Sequence, residues 1–197
     1  MATPIDELRI HIARLEAALE HELGEARERW KYRIEQGRVR FERDVHLAHK
    51  RLRQSIPAFI RESEPLNILT APIIYSLLVP IALADLWTTV YQRCCFPIYR
   101  ISLVQRRDYI VIDRQHLAYL NGIEKINCIY CGYANGVLAY IREIAARTEQ
   151  YWCPIRHARR VKAPHAHYRE FVEYGDAQGY KRRLPVLRDE LKPGSHD

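Results

Sequence analysis

The chain has no apolar run near its start. Its first twenty residues include Asp6, Glu7, Arg9, Arg14, Glu16 and Glu20, so the uncharged core of a secretory leader is missing and secretion is not expected. An even set of cysteines is also lacking. There are five, which argues against a complete disulfide framework; in a reducing cytosol, paired cysteines more often serve as metal ligands or redox centres. No helix-turn-helix or RNA-binding signature accompanies the formal charge of +7, so nucleic acid is not the expected partner. Whole-chain disorder does not fit a hydrophobic fraction of 48%. A length of 197 residues suits one compact domain or a small domain with long appendages.

What is present falls into four segments: 1–60, 65–99, 100–163 and 164–197. The first carries an eleven-residue repeat. Leu8, Ile12 and Leu15 are followed by Leu19, Leu23 and Ala26, then Trp30, Ile34 and Gly37, then Phe41, Val45 and Ala48, and finally Leu52, Ile56 and Phe59. Eleven residues in three turns lies close to the natural helix period, so the stripe stays on one face with little supercoiling. Thr3 as cap, Pro4 at the first position and Asp6 and Glu7 behind it form a helix start. The pattern predicts one long amphipathic helix from Pro4 to Ile56, ended or kinked by Pro57. The face opposite the stripe mixes both signs of charge, which favours pairing with a helical partner or a second copy through residues 5–60 over lying in a membrane surface.

The second segment is apolar. Leu66 to Ala84 is nineteen residues without a charge, just enough at helical rise to span a bilayer core of roughly 30 Å. Asp85 follows, then Trp87 and Tyr91, aromatics suited to a headgroup belt. Pro72 and Pro80 interrupt it. Basic residues stand on both sides: Lys50, Arg51, Arg53 and Arg61 before, Arg93, Arg100, Arg106 and Arg107 after. A single crossing keeps its positive charge on one side, so this flanking favours a re-entrant hairpin turning near Pro80, with a single span and a buried soluble helix pair as alternatives.

The third segment is where chemistry is expected. Tyr109–Ile112 reads as a short β-like run or an extended linker. Asp113 is placed to cap a helix through about Lys125. Gly132 and the Asn135–Gly136 pair favour a tight turn, and a second helix follows from about Val137 to Gln150. Cys128 and Cys131 then sit on the loop of a helical hairpin. Pro154 suits a first helical position, making Cys153 the cap of a further helix, with His157 on the same face. Cys128, Cys131, Cys153 and His157 form a three-cysteine, one-histidine set suited to a tetrahedral ion, zinc or another metal. Such a structural site contributes roughly 10 to 16 kcal/mol. A straight second helix sets Cys153 about 20 Å from Cys128, so a shared site requires a bent helix or a folded loop. A redox dithiol at Cys128 and Cys131 and ordinary buried cysteines are the other readings; Cys94 and Cys95 are extra ligands or small core residues. Asp113 and His116, joined by Glu143 and Glu149, offer a weaker acid–base or metal site. The second carboxylate–histidine pair that a dinuclear centre wants is missing.

The runs APIIYSLLVP, RRDYIVIDRQHLAYLNGIEK and NCIYCGYANGVLAYIREIAARTEQYWCPIRHARR resemble an uncharacterised family of bacterial proteins, over about residues 65–160. The resemblance implies a bacterial context. The family has no assigned activity and so implies no catalytic residues. The N-terminal helix and the tail lie outside it.

Arg156, Arg159, Arg160, Lys162 and Arg169, interspersed with His157, His165 and His167, form a basic patch. Beside an apolar segment its expected partner is a membrane lipid with an anionic headgroup, each basic residue being worth about 1 kcal/mol there. His165 and His167 read as exposed tail residues, and the chain from about Gly175 as loosely ordered. The sequence therefore predicts a mainly α protein at the bacterial inner membrane, its bulk facing the cytoplasm. It reads as a tethered scaffold or adaptor with a structural metal site; the alternative is a membrane-surface enzyme using Cys128/Cys131 redox or Asp113/His116 acid–base chemistry on a lipid-linked substrate.

Overall fold

Pro4 opens helix α1, Pro4–Arg29, as the sequence predicts. The computed structural model describes residues 4–29, 32–35 and 38–194, so the expected cap Thr3 and the repeat positions Trp30 and Gly37 lie outside the described residues. The single helix expected as far as Ile56 is not formed. Strands β1 (Tyr32–Glu35) and β2 (Arg38–Phe41) follow α1 and pair antiparallel, Tyr32 opposite Phe41 and Ile34 opposite Val39. A second period shares these residues: Tyr32, Ile34, Val39 and Phe41 alternate with Arg33, Glu35, Arg38 and Arg40. Alternation of β-branched and aromatic with charged residues, over a two-residue connection, is a hairpin pattern. The eleven-residue repeat passes through Ile34 and Phe41 as well, so on its own it does not separate helix from hairpin.

Helices α2 (Arg43–Arg51) and α3 (Ile56–Glu62) follow. Pro57 is the second residue of α3 and does not end a helix. The Ser55 hydroxyl accepts from the Ala58 N–H at 3.4 Å, and the Ser55 carbonyl accepts from the Phe59 N–H at 3.0 Å. The N–H that proline lacks falls in the first turn, where no intrahelical bond is made.

The chain divides into two units, residues 1–60 with 113–125 and residues 61–112 with 126–197. In the first, the His49 ring meets Phe41 edge-on at 5.1 Å and Tyr119 at 5.3 Å. The helix expected from Asp113 does not form; Arg114–His116 is a single 3-10 turn, and a later helix starts at Gly122. Its start is fixed by a reciprocal cap. The Asn121 side chain accepts from the Glu124 N–H at 3.0 Å, and the Glu124 carboxylate accepts from the Asn121 N–H at 2.8 Å, satisfying two end donors at once.

The second unit holds α4 (Pro65–Ser76), α5 (Leu78–Tyr99), α6 (Arg106–Tyr109), most of α7 (Gly122–Trp152) and α8 (Ala177–Asp189). α4 and α5 form one helical path of 35 residues, Pro65–Tyr99, long and apolar enough to cross a membrane, and its most apolar stretch buries nothing within the chain. The re-entrant turn expected near Pro80 is absent from this path. Pro80 lacks the N–H that would bond to Ser76, and the ladder breaks there for one residue, Leu77, before α5 resumes. α5 ends with Arg100 in the left-handed region (φ 58°), while the Ile101 N–H returns to the Phe96 carbonyl at 2.9 Å.

α7 runs unbroken for 31 residues through the turn expected at Gly132 and Asn135–Gly136. Gly136 serves packing. A Cβ on Gly136 would stand 2.8 Å from both Ile110 Cα and the Tyr109 carbonyl oxygen, so glycine lets another backbone cross the helix in contact. The Asn135 amide is occupied within the helix, donating to the Cys131 carbonyl at 2.9 Å.

α4–α5 and α7 lie side by side. The Tyr75 hydroxyl donates to Asn127, the Tyr130 hydroxyl to the Ile74 carbonyl (2.8 Å) and the Tyr133 hydroxyl to Asp85 (2.9 Å); Thr89 and Tyr140 are 3.4 Å apart, Tyr91 and Thr148 3.0 Å. Residue numbers rise together along both helices, so the pair is parallel. The core lies at the later end of this pair, where Phe96, Ile101, Val104, Tyr140, Ile144 and Leu191 are buried together. The tail expected to be loose from Gly175 instead forms α8, capped by Asp176 through the Gly179 N–H at 2.8 Å, with Leu187 fully buried.

Candidate functional site

The charge interrupting the apolar path is neutralised within the second unit. Asp85 is buried, and Arg106 grips it as a fork, Nε at 3.2 and 3.3 Å from the two oxygens and Nη2 at 2.7 Å. The Tyr133 hydroxyl adds a third donor, and paired N–H donors of this kind give a strong, directional contact. One helix turn or two further on, Gln92 treats Val104 as a strand neighbour. Its Oε1 accepts from the Val104 N–H at 3.0 Å, its Nε2 donates to the Val104 carbonyl at 3.3 Å, and it also bonds the Tyr140 hydroxyl. These two contacts lash the chain after α5 back onto α5.

A second polar cluster sits at the later end of α7. Glu143 receives Arg147 at 2.8 Å and His167 Nε2 at 3.1 Å. The other His167 nitrogen lies 2.5 Å from Gln150 Oε1, while Gln150 Nε2 donates to the Leu187 carbonyl at 2.8 Å. Both imidazole nitrogens thus lie within hydrogen-bond distance of side-chain oxygens on α7. The hydrogen bond from His167, and after it the contact with Arg147, outweigh burial and hold the Glu143 carboxyl at about 2, below its ordinary 4.5. His165 Nε2 lies 2.9 Å from Glu149. His165 and His167, read from sequence as exposed tail residues, therefore clamp residues 165–167 onto α7. The signal available was the spacing of Glu143, Arg147 and Gln150 on one face, which offers polar partners to a returning chain.

Between these anchors the chain bows outward as a basic loop. Arg156, His157, Arg159, Arg160, Lys162 and Tyr168 help to line a cavity of about 790 Å³. Arg156 is engaged by Glu173 and donates to the Arg169 carbonyl at 2.5 Å; the His157 N–H donates to the Tyr168 hydroxyl at 2.8 Å. Arg142 donates to the Ala163 carbonyl at 2.5 Å, pinning the far side of the loop beside the middle of α7. Arg159, Arg160 and Lys162 are exposed and have no acidic partner among the described residues. Three cations on a short loop with a concave centre suit phosphate or another multivalent anion.

The four expected metal ligands do not converge. Cys128 and Cys131 both lie on α7, and Cys153 follows its last residue, the Cys153 N–H bonding to the Glu149 carbonyl at 2.7 Å. The helix between Cys128 and Cys153 is about 37 Å long at 1.5 Å per residue, so one ion cannot touch both within a chain. The expected hairpin does not form because α7 runs on through Gly132 and Gly136, and Gly136 is needed where the backbone at 109–110 crosses the helix. Cys153 also closes a helix and does not cap the start of one: Ile155 pairs with Val172 in an isolated β-bridge. All five cysteines are free. Cys128 and Cys131, three apart on α7, have Cβ atoms about 5–6 Å apart in regular helix, against about 3.8 Å in a disulfide, so oxidation would have to distort that turn. Asp113 precedes and His116 ends the 3-10 turn of the first unit, while Glu143 belongs to the second and is spent on Arg147 and His167. The described residues that do bring three potential ligands together are His21, Glu22 and Glu25, all exposed on α1.

Compared with family models, curated proteins and solved structures, the chain matches none of them.

Proposed function

We propose that this protein is a membrane-tethered scaffold or adaptor of the bacterial inner membrane, with its bulk in the cytoplasm. The observation that supports this best is the apolar surface of α4–α5: Leu66, Leu69, Ile73, Val79, Leu83, Leu86 and Trp87 are each more than half exposed. A surface of that size left in water favours aggregation, whereas lipid covers it at a gain of about 25 cal/mol per Å². The basic loop around Arg159, Arg160 and Lys162 supplies the second attachment, to anionic headgroups. Ile12, Leu15, Leu19 and Leu23 form an exposed stripe on α1, a seam for a second copy or another helical protein. The enzyme alternative has less behind it: Cys128 and Cys131 sit in regular helix, and Asp113 and His116 belong to the first unit whereas Glu143, in the second, is bonded to Arg147 and His167.

Cell fractionation tests the reading. The full chain is expected in the membrane pellet and to stay there in high salt. The triple variant Leu69→Asp, Ile73→Asp, Val79→Asp is expected in the supernatant. A wild-type chain that is soluble without detergent contradicts the proposal.

A further inference from the structure

The loop from Arg156 to Pro164 concentrates positive charge that the protein does not balance. Arg159, Arg160 and Lys162 stand within four positions of one another, all exposed. Cations this close repel one another unless an anion joins them. The carboxylates at the anchors of the loop are already engaged: Glu173 with Arg156, Glu149 with His165, and Glu143 with Arg147 and His167.

The same loop is built as a concavity. At its start, the Ile155–Val172 bridge and the Arg156 N–H, which donates to the Val172 carbonyl at 2.8 Å, tie it to the returning chain. At its end, Arg142 of α7 holds the Ala163 carbonyl, and Ala163 itself lies in the left-handed region (φ 49°). Alanine adopts that conformation only where its surroundings impose it. Tyr168 forms one wall; its hydroxyl accepts the His157 N–H, and its ring stacks on the His157 ring with centroids 6.0 Å apart. The enclosed volume of about 790 Å³ exceeds what a bare phosphate ion needs and lies in the range of small-molecule sites. Ala158, Val161 and Pro164 supply apolar lining for the carbon part of a ligand.

We propose that this loop binds an organic phosphomonoester, with Arg159, Arg160 and Lys162 gripping the terminal phosphate. A monoester suits the site better than a diester. It offers three free oxygens and a charge of about −1.5 to −2 at neutral pH, whereas a diester offers two free oxygens and a single charge. Two guanidinium forks and one ammonium match the first set, since arginine takes two phosphate oxygens at once and lysine acts as a point charge. Two sources share this chemistry: a soluble phosphorylated small molecule, and a lipid whose headgroup is itself a phosphomonoester. The proposal deepens the headgroup contact of the tether reading and rests on that reading for the lipid source alone.

The test uses the full chain in micelles of a neutral detergent. Glycerol 3-phosphate is titrated in by calorimetry, and micelles doped equally with phosphatidic acid, a monoester, and phosphatidylglycerol, a diester, are analysed by native mass spectrometry for retained lipid. A soluble source predicts that glycerol 3-phosphate binds once per chain; a lipid source predicts that phosphatidic acid is retained in preference to phosphatidylglycerol. The double variant Arg159→Gln, Arg160→Gln is expected to weaken that binding about tenfold or more. Lys181→Gln, Arg182→Gln removes the same charge from exposed positions of α8 and is expected to leave it within about twofold. Equal losses in the two double variants would show attraction to net charge alone and overturn the site. Equal retention of the two lipids, or binding of neither monoester, overturns it as well. Failure of the tether reading shows separately, as a chain that fractionates without the membrane, and leaves the glycerol 3-phosphate titration unaffected.

Discussion

α1 and α7 are both long, apolar on a periodic stripe and free of proline beyond the first position, yet they differ in what they do. α7 buries Val137, Tyr140 and Ile144 almost completely, whereas Leu15 and Leu19 of α1 remain more than half exposed. Gly24 in α1 has nothing within 4 Å of a Cβ position, whereas Gly136 in α7 is pressed by the backbone at 109–110. Periodicity says that a segment is helical. What it packs against is set by the particular small and polar residues along the stripe. α7 has them, at Gly132, Ala134, Gly136, Tyr140 and Gln150; α1 has a plain repeat of leucine and isoleucine, suited to a partner outside the described chain.

That contrast is open to test by substitution. The largest effect is expected for Tyr140→Ala, which empties a fully buried site and strips Gln92 and Thr89 of a partner: about 3–5 kcal/mol lost in chemical denaturation. Leu19→Ala in α1 is expected to stay within about 0.5 kcal/mol. A comparable loss at Leu19 breaks the contrast by revealing a bound partner.

Acid comes next. Because the folded Glu143 carboxyl titrates at about 2 instead of 4.5, its contribution is complete above pH 4.5 and is lost as pH falls toward 2. The size is roughly 3 kcal/mol. Denaturation midpoints for wild type and Glu143→Gln are expected to converge over that window; parallel curves refute the clamp between His167 and α7. The two glycines give opposite signs. Gly136→Ala costs about 1–3 kcal/mol by forcing Ile110 off the helix, while Gly24→Ala gains about 1 kcal/mol from helix propensity alone. Smallest of all is the cysteine pair: Cys128→Ser and Cys153→Ser are expected to be additive within about 0.5 kcal/mol, as distant sites are. A coupling larger than that restores a shared ion between chains.

The helical class and the apolar path Pro65–Tyr99 were legible in the sequence, since both are written in runs of one residue class. The hairpin at 32–41 was obscured because Ile34 and Phe41 satisfy the period of three turns and the period of two at once. Gly132 and the Asn135–Gly136 pair look locally like a helix break, the turn of a helical hairpin, and the crossing backbone that requires Gly136 lies twenty-six residues earlier in the chain. The cysteine set fell with that hairpin. His165 and His167 look like tail residues in the sequence because their partners, Glu149 and Glu143, are far back in the chain. The capping box at Asn121 and Glu124 is legible locally, in spacing alone.

Parallel packing of α4–α5 on α7 underlies the whole account. Its direct test is disulfide trapping in membranes, with the five native cysteines changed to serine. The pairs Tyr75→Cys with Asn127→Cys and Tyr91→Cys with Thr148→Cys are expected to cross-link readily, and Tyr75→Cys with Thr148→Cys not at all. Cross-linking of that third pair in place of the other two would mean that the helices run antiparallel, and the polar contacts that join α4–α5 to α7 would no longer hold.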